Sequence, residues 1–335
     1  MPRFLIVRFS SIGDIVLTSP VIRCLKQEVP DAEIHYLTKP QFADLLNANP
    51  YLEKVWAYEK SGRSVLEELK KLNFDAIIDL HHNLRSWRVK RFLSVKSYSF
   101  RKLNIEKYLF VRFRIKLLPD IHIVDRYLET LRSFGVKNDL KGLDYFIPKD
   151  TETKIDPLPD LYQSGYVAIV VGALKLTKRL PEDMLKSLCI QSPFPVVLLG
   201  GKAEEEEGER ISKADTSKIF NACGKFSINQ SALMIRNAKV VITPDTGLMH
   251  IASAFGRPII SIWGNTTPLF GMYPYMPQRA EDSFISEVKN LSCRPCSKIG
   301  FSECPKKHFR CMRNQDMQEI LNQLQILWEK NSLRN

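Results

Sequence analysis

Glycine is scarce in this chain, 15 residues in 335, and nowhere do three of them take the spacing of a dinucleotide-binding turn. That shortage argues against a nicotinamide or flavin redox site. No run of about 18 uncharged apolar residues occurs, so no segment reads as a membrane-spanning helix. Acidic residues are also in deficit: 37 Asp and Glu face 49 Lys and Arg, leaving a net charge of +12. A surplus of that size calls for an acidic partner, which the charge alone leaves open among nucleic acid, an anionic membrane surface and a phosphorylated substrate. The first residues, Met1 to Arg8, are weakly reminiscent of a signal sequence, but Arg8 and Asp14 interrupt the apolar run and no small-residue cleavage site follows. They are expected to form a first buried strand. With no export signal, the seven cysteines are expected to be reduced thiols in a cytosol.

What is present is a repeated alternation of short apolar runs with amphipathic helical stretches, the pattern of parallel, doubly wound α/β sheets. It runs from Phe4 to about Leu80, pauses over a polar segment carrying Pro148, Pro157 and Pro159, and restarts at Tyr166. Two Rossmann-like domains are expected, 1–155 and 156–314, with a final helix at 315–335 that has no following strand and is free to cross back to the first domain. Ligands of such sheets bind outside the carboxyl ends of the strands, in loops such as 10–14, 172–180, 200–205 and 243–250. A cleft between the two domains is therefore the expected site.

The most informative loop is Pro244-Asp245-Thr246-Gly247-Leu248-Met249-His250, between the apolar strand ending at Thr243 and an apolar helix. The first amides of a helix have no intrahelical acceptor and its dipole favours negative charge, so this turn can seat a diphosphate on backbone N–H groups, with His250 adding a donor. Ser10-Ser11-Ile12-Gly13-Asp14 is a second turn of this kind. There a serine suits the helix N-cap and Asp14 the first turn, while the functional alternative makes Asp14 a base, ionised because the helix terminus stabilises the carboxylate. Gly172 to Pro181 gathers Lys175, Lys178 and Arg179 after a buried strand; it reads either as a solvated basic loop or as cations that neutralise a leaving diphosphate. In Gly200 to Glu205, a carboxylate of Glu204 or Glu205 is suited to ribose hydroxyls.

Between Arg85 and Lys116 lie eleven Lys or Arg, seven aromatics and one acid. The pattern fits base stacking, an anionic membrane surface or an anionic glycolipid, and equally a solvated face over buried aromatics. Cys293, Cys296, Cys304 and Cys311 follow C-x2-C-x7-C-x6-C, with His308 in the last interval. The leading pair has zinc-ligand spacing and the rest does not, which leaves a structural zinc and loop-capping thiols as alternatives.

Four segments, RFSSIGDIVLTSPVIRCLK near the start, DLHHNLRS at 79–86, GALKLTKRLP at 172–181 and DTGLMHIASAFGRPIISIWGNTTP at 245–268, resemble the lipopolysaccharide heptosyltransferases of glycosyltransferase family 9. The resemblance extends almost end to end. It implies the GT-B architecture, two Rossmann-like domains facing a central cleft, with an ADP-heptose type of donor in the second domain and a lipid-linked anionic saccharide acceptor in the first. Transfer would invert the anomeric centre. Carried over by position, the resemblance makes Asp14 the catalytic base and Lys178 the partner of the donor phosphates. Gly172, Asp245, Thr246, Gly247, Leu248 and His250 become donor contacts, and Glu204 or Glu205 the ribose ligand. Ser10, Ser11, Gly13, Asn83, Arg85, His122 and Arg126 become candidates for the acceptor side. Leu180 stands where the family usually has Trp.

The residues fit that chemistry on their own account. One displacement at an anomeric carbon needs a base and a stabilised leaving group, with no second carboxylate nucleophile. No two aspartates stand two positions apart, so the usual metal-holding pair is missing and transfer is expected to need no cofactor. The expected setting is cytoplasmic and peripheral, at the cytoplasmic face of an inner membrane, with no nucleic-acid partner. The competing readings are a nucleotide-sugar epimerase on the same scaffold and a nucleic-acid-binding protein using 85–116.

Overall fold

The computed structural model describes residues 1–59, 62–154 and 158–333. It divides into two compact units, one made of Met1–Leu103 with Ile121–Pro148, the other of Asn104–Asp120 with Lys149–Asn335. The boundary expected at 155/156, and Pro157 of the expected linker, lie outside the described residues. The division differs from a single cut in the linker, because Asn104–Asp120 joins the second unit.

The first unit is built on five strands, β1 (Arg3–Val7), β2 (Glu33–Thr38), β3 (Lys54–Ala57), β4 (Ala76–Asp79) and β5 (Ser97–Ser99). They are all parallel, in the order β3-β2-β1-β4-β5. Phe4 to Val7 and Ala76 to Asp79 are buried throughout, as central parallel strands covered on both faces require. Leu5, Val7, Phe9, Trp56, Leu69, Ile77 and Val89 pack into one core on that sheet. The helices α1 (Ile12–Val16), α2 (Ser19–Glu28), α3 (Arg63–Lys71) and α4 (Leu84–Leu93) connect the strands. The turn at Ser10 to Asp14 leads into two helices, α1 and α2, and not into one continuous helix. Pro20 sits in the first turn of α2 and has no N–H to continue a helix from α1, so the chain breaks at Leu17-Thr18 and restarts. After β5 come α5 (Asn104–Phe113), which belongs to the second unit, and α6 (Ile123–Leu128), which belongs to the first.

The second unit carries six parallel strands, β6 (Val167–Val170), β7 (Val196–Leu199), β8 (Ile219–Asn221), β9 (Val240–Pro244), β10 (Ile259–Trp263) and β11 (Ser283–Glu287). Their order is β11-β10-β9-β6-β7-β8. Between them run α7 (Glu182–Gln191), α8 (Glu205–Ser212), α9 (Ile228–Asn237) and α10 (Gly247–Ala254), followed by α11 (Arg310–Arg313) and α12 (Met317–Ser332). The last helix, which had been expected to be free to cross back, packs on its own unit. Ile320, Leu324 and Leu327 join the core made by Ile169, Leu198, Ile242 and Ile260, and Trp328 stacks on Phe194 with ring centroids 3.8 Å apart.

Both strand orders reverse direction at one place, between β1 and β4 in the first unit and between β6 and β9 in the second. At such a reversal the connections diverge to opposite faces of the sheet and leave a crevice at the carboxyl ends. The loops there are 8–11 and 80–83 in one unit, and 171–181 and 245–246 in the other.

Candidate functional site

In the first unit the crevice is organised by Arg8, which sequence reasoning passed over. Its buried guanidinium donates from Nε to the carbonyl of Ser10 at 2.8 Å and from Nη1 to the carbonyl of Leu80, tying the end of β1 to the end of β4. Its Nη2 lies 2.5 Å from Asp14 Oδ1. The other carboxylate oxygen accepts from the Ser11 amide at 3.0 Å and the Ser11 hydroxyl at 2.8 Å, closing a capping box at the start of α1. Burial works to raise the Asp14 pKa, but the Arg8 charge and the Ser11 hydrogen bonds outweigh it and hold the carboxyl below the usual Asp range. Asp14 is thus an ionised, fixed and partly exposed carboxylate at the mouth of a crevice.

His81 closes the same crevice from the end of β4. Its ring meets Phe9 edge-on at 5.2 Å, and its Nδ1 is buried without a hydrogen-bond partner. Burial, helped by the Arg8 charge, pushes its pKa down to about 4, so the ring is neutral at neutral pH. Asp79 shapes this turn: its Oδ1 accepts from the amides of His81 and His82 at 3.0 and 2.7 Å, while Oδ2 meets Ser86 Oγ at 2.8 Å and Lys90 Nζ at 2.9 Å. His82 has φ of 46°, and the double acceptance stabilises that left-handed turn. Arg8, Asp79 and His81 lie within the segments RFSSIGDIVLTSPVIRCLK and DLHHNLRS, but sequence reasoning assigned none of them a role, since each gains its meaning from a partner on another element.

Several expected acceptor residues have structural duties here. Asn83 caps α4, its Oδ1 accepting from the Arg85 and Ser86 amides, both at 3.0 Å. The Arg85 guanidinium lies 5.4 Å from the Phe9 ring centroid, and Gly13 is buried within α1. His122 is buried and caps α6, with Nδ1 accepting from the Val124 amide at 3.2 Å; Arg126 is buried one turn later on that helix.

In the second unit the crevice gathers Lys178, Asp245, Thr246 and Thr266. Lys178 closes a short 3-10 turn, Leu176–Lys178, and its ammonium lies 2.6 Å from Asp245 Oδ2 and 3.3 Å from the Asp245 carbonyl. Thr266 Oγ1 donates to the same Oδ2 at 3.1 Å. Asp245 follows β9, and Thr246 is the N-cap of α10 with extended φ and ψ, but its hydroxyl pairs with Thr243 Oγ1 at 3.1 Å and does not cap the helix. With no side-chain cap from Thr246, the first amides of α10, from Gly247 and Leu248, follow directly on the Asp245 that holds the Lys178 ammonium, an arrangement suited to an anion. His250 is buried one turn along.

The ribose candidates divide. Glu204 is buried, its Oε1 2.6 Å from Arg179 Nη2 and its Oε2 accepting from the Gly201 amide at 2.9 Å. It also explains Gly172, where a Cβ would stand 2.5 Å from Glu204 Cδ. Glu205 begins α8 and pairs with the exposed Lys202.

The four cysteines at 293, 296, 304 and 311 are free thiols lining one cavity of about 300 Å³ with His308 and Asn265. His308 Nε2 is 3.7 Å from Cys293 Sγ, and burial pushes the Cys311 thiol up to about 12. Among the described residues no three His, Cys, Asp or Glu side chains stand together as a metal-holding group. Among the same residues no helix is long and apolar enough to cross a membrane.

A family model for glycosyltransferase family 9 (heptosyltransferase) matches residues 63–305, well over half of the chain. The chain belongs to glycosyltransferase family 9. It is therefore a glycosyltransferase, and both switch-point crevices belong to a transferase. Its curated relatives include lipopolysaccharide heptosyltransferase 1 of Campylobacter coli, 26% identical over 292 residues that cover 78% of this chain and 83% of that protein. Lipopolysaccharide heptosyltransferase 1 of Escherichia coli K12 is 27% identical over 308 residues, covering 81% and 91%. Among solved structures, a family 9 glycosyltransferase from Veillonella parvula superposes with a TM-score of 0.77 at 21% identity, covering 98% of each chain. The Escherichia coli ADP-heptose lipopolysaccharide heptosyltransferase II superposes with a TM-score of 0.73 at 18% identity, covering 99% of this chain and all of that one. These likenesses show a GT-B fold built from two parallel α/β units.

Proposed function

We propose that this glycosyltransferase moves a heptose or similar sugar from an ADP-sugar to a lipopolysaccharide core or related lipid-linked saccharide, inverting the anomeric centre. The observation that carries the donor half is the Lys178–Asp245 pair, 2.6 Å apart at the uncapped start of α10. A diphosphate seated there meets the Lys178 ammonium and the amides of Gly247 and Leu248, with Thr246 and His250 alongside. Asp245 keeps the ammonium aimed at that point before the donor arrives. Glu205 is the better placed ribose ligand, since the carboxylate of Glu204 is committed to Arg179 and the Gly201 amide.

On the acceptor side Asp14 is the base. The acceptor hydroxyl oxygen bonds to the anomeric carbon, the bond from that carbon to the β-phosphate oxygen breaks, and ADP leaves with the electron pair. The hydroxyl proton passes to Asp14. A carboxylate held below its usual range is a weak base for a free alcohol, so the proton moves late, once the new C–O bond has made the hydroxyl acidic. Lys178 and the helix amides balance the charge that grows on the leaving diphosphate, which is work that a metal does in other transferases. We therefore propose metal-independent transfer. The positive net charge and the lipid-linked acceptor support a peripheral site of action at the cytoplasmic face of the inner membrane.

The test is turnover of ADP-heptose with a lipopolysaccharide-core acceptor in EDTA. Asp14→Asn should reduce kcat by a factor of roughly 10² or more while ADP affinity stays within about twofold. Full turnover by that variant, or retention of the anomeric configuration, would contradict Asp14 as the base of a single displacement.

A further inference from the structure

The basic, aromatic stretch from Arg85 to Lys116 is continuous in sequence, but the structure splits it. Up to Leu103 it belongs to the first unit, where Phe100 is buried against Tyr127 with ring centroids 4.8 Å apart. From Asn104 it belongs to the second. One stripe of α5 rests on that unit. Phe110 meets Phe270 edge-on at 6.3 Å, and the Lys107 ammonium lies 5.7 Å from the same ring. Just past the helix, Arg114 donates to the carbonyls of Ser292 at 3.0 Å and Pro295 at 2.7 Å.

The rest of α5 faces outward, and no residue of the helix is buried. Ile105 is 73% exposed, Tyr108 60%, Phe113 56%, Ile115 48% and Leu117 59%. Five large apolar side chains thus stand in water within thirteen residues, with exposed Arg112 and Lys116 among them. Glu106 is the one acid between Asn104 and Pro119. Single exposed apolar residues are ordinary, but a continuous run of them leaves a large hydrophobic area unused and marks a surface that meets something apolar.

We propose that residues 104–117 form a membrane-docking surface for an anionic bilayer. Arg112 and Lys116 sit among acidic headgroups while Ile105, Tyr108, Phe113, Ile115 and Leu117 enter the boundary between headgroups and acyl chains. A single-stranded nucleic acid is a poorer match, because stacking needs ring faces and would leave Ile105, Ile115 and Leu117 in water. The surface deepens the lipid side of the proposed function and rests on it for its setting. It also assigns lipid contact to the unit that carries Lys178 and α10, whereas sequence alone put the whole stretch with the acceptor domain.

Co-sedimentation of the full chain with vesicles, without donor or acceptor, tests this separately from the chemistry. The full chain should pellet with phosphatidylcholine vesicles containing about a third phosphatidylglycerol and stay in solution with pure phosphatidylcholine. The triple variant Tyr108→Ser, Phe113→Ser, Leu117→Ser should bind the anionic vesicles roughly tenfold more weakly or worse. Arg112→Gln with Lys116→Gln should also bind more weakly and lose part of the salt dependence. All these side chains are exposed, so an unchanged melting temperature and an unchanged ADP titration will show that the fold is intact. Unaltered vesicle binding by the triple variant would overturn the proposal. So would a wild-type chain that ignores anionic vesicles and instead retains single-stranded nucleic acid through these residues.

Discussion

Asp14 is partly exposed, yet its carboxyl is held below the usual range, and the group most responsible for holding it there is Arg8. The same guanidinium braces the carbonyls of Ser10 and Leu80, so charge and position of the proposed base come from one side chain. The sign of the effect is direct: a base acts when ionised, and a lowered pKa extends its ionised range toward acid. Arg8→Gln removes the neighbouring charge, leaves burial to dominate, and should move the acid limb of the kcat/KM profile to higher pH. A profile of unchanged acid limb would show that another group titrates there. In sequence Asp14 was legible as a first-turn acid with two readings. Arg8 was not, because an arginine at the end of a buried strand has no meaning until Leu80, from a strand seventy residues on, stands beside it.

Strands and helices were mostly legible, since apolar runs alternating with amphipathic stretches have one economical solution. Two exceptions share a cause. β5 and β11 are edge strands with mostly part-exposed residues, and their pairing comes from neighbours rather than from their own pattern. The interruption between α1 and α2 was written in Pro20 but masked by the apolar periodicity on either side. The strand-to-helix turn at Asp245 was legible because its chemistry is local, whereas its pairing with Lys178 depends on a loop 67 residues earlier in the chain. Gly172 belongs at this scale too. A Cβ there meets the carboxyl of Glu204 at 2.5 Å, and that side chain cannot swing aside without leaving Arg179 and the Gly201 amide. Gly172→Ala should lower the melting temperature by several degrees, corresponding to about 1–3 kcal/mol, and weaken ADP binding, both readable by calorimetry. An unchanged melting temperature would mean that the loop relaxes without cost.

For the molecule as a whole, two parallel sheets carry one switch-point crevice each, with a fixed carboxylate in the first and a cation at a helix start in the second. Each unit folds around its own core. The restart of the strand–helix alternation pointed to two units, but not to Asn104–Asp120 leaving the first unit for the second, since membership of a unit is a matter of long-range contacts. The central claim is that the second crevice seats an adenine-nucleotide diphosphate without metal. Calorimetric titration of the full chain with ADP and with UDP, in EDTA, compared with Lys178→Ala, tests it most directly. ADP should bind more tightly than UDP and lose roughly tenfold or more in affinity when Lys178 is removed. Preference for UDP, or ADP affinity indifferent to Lys178, would contradict it.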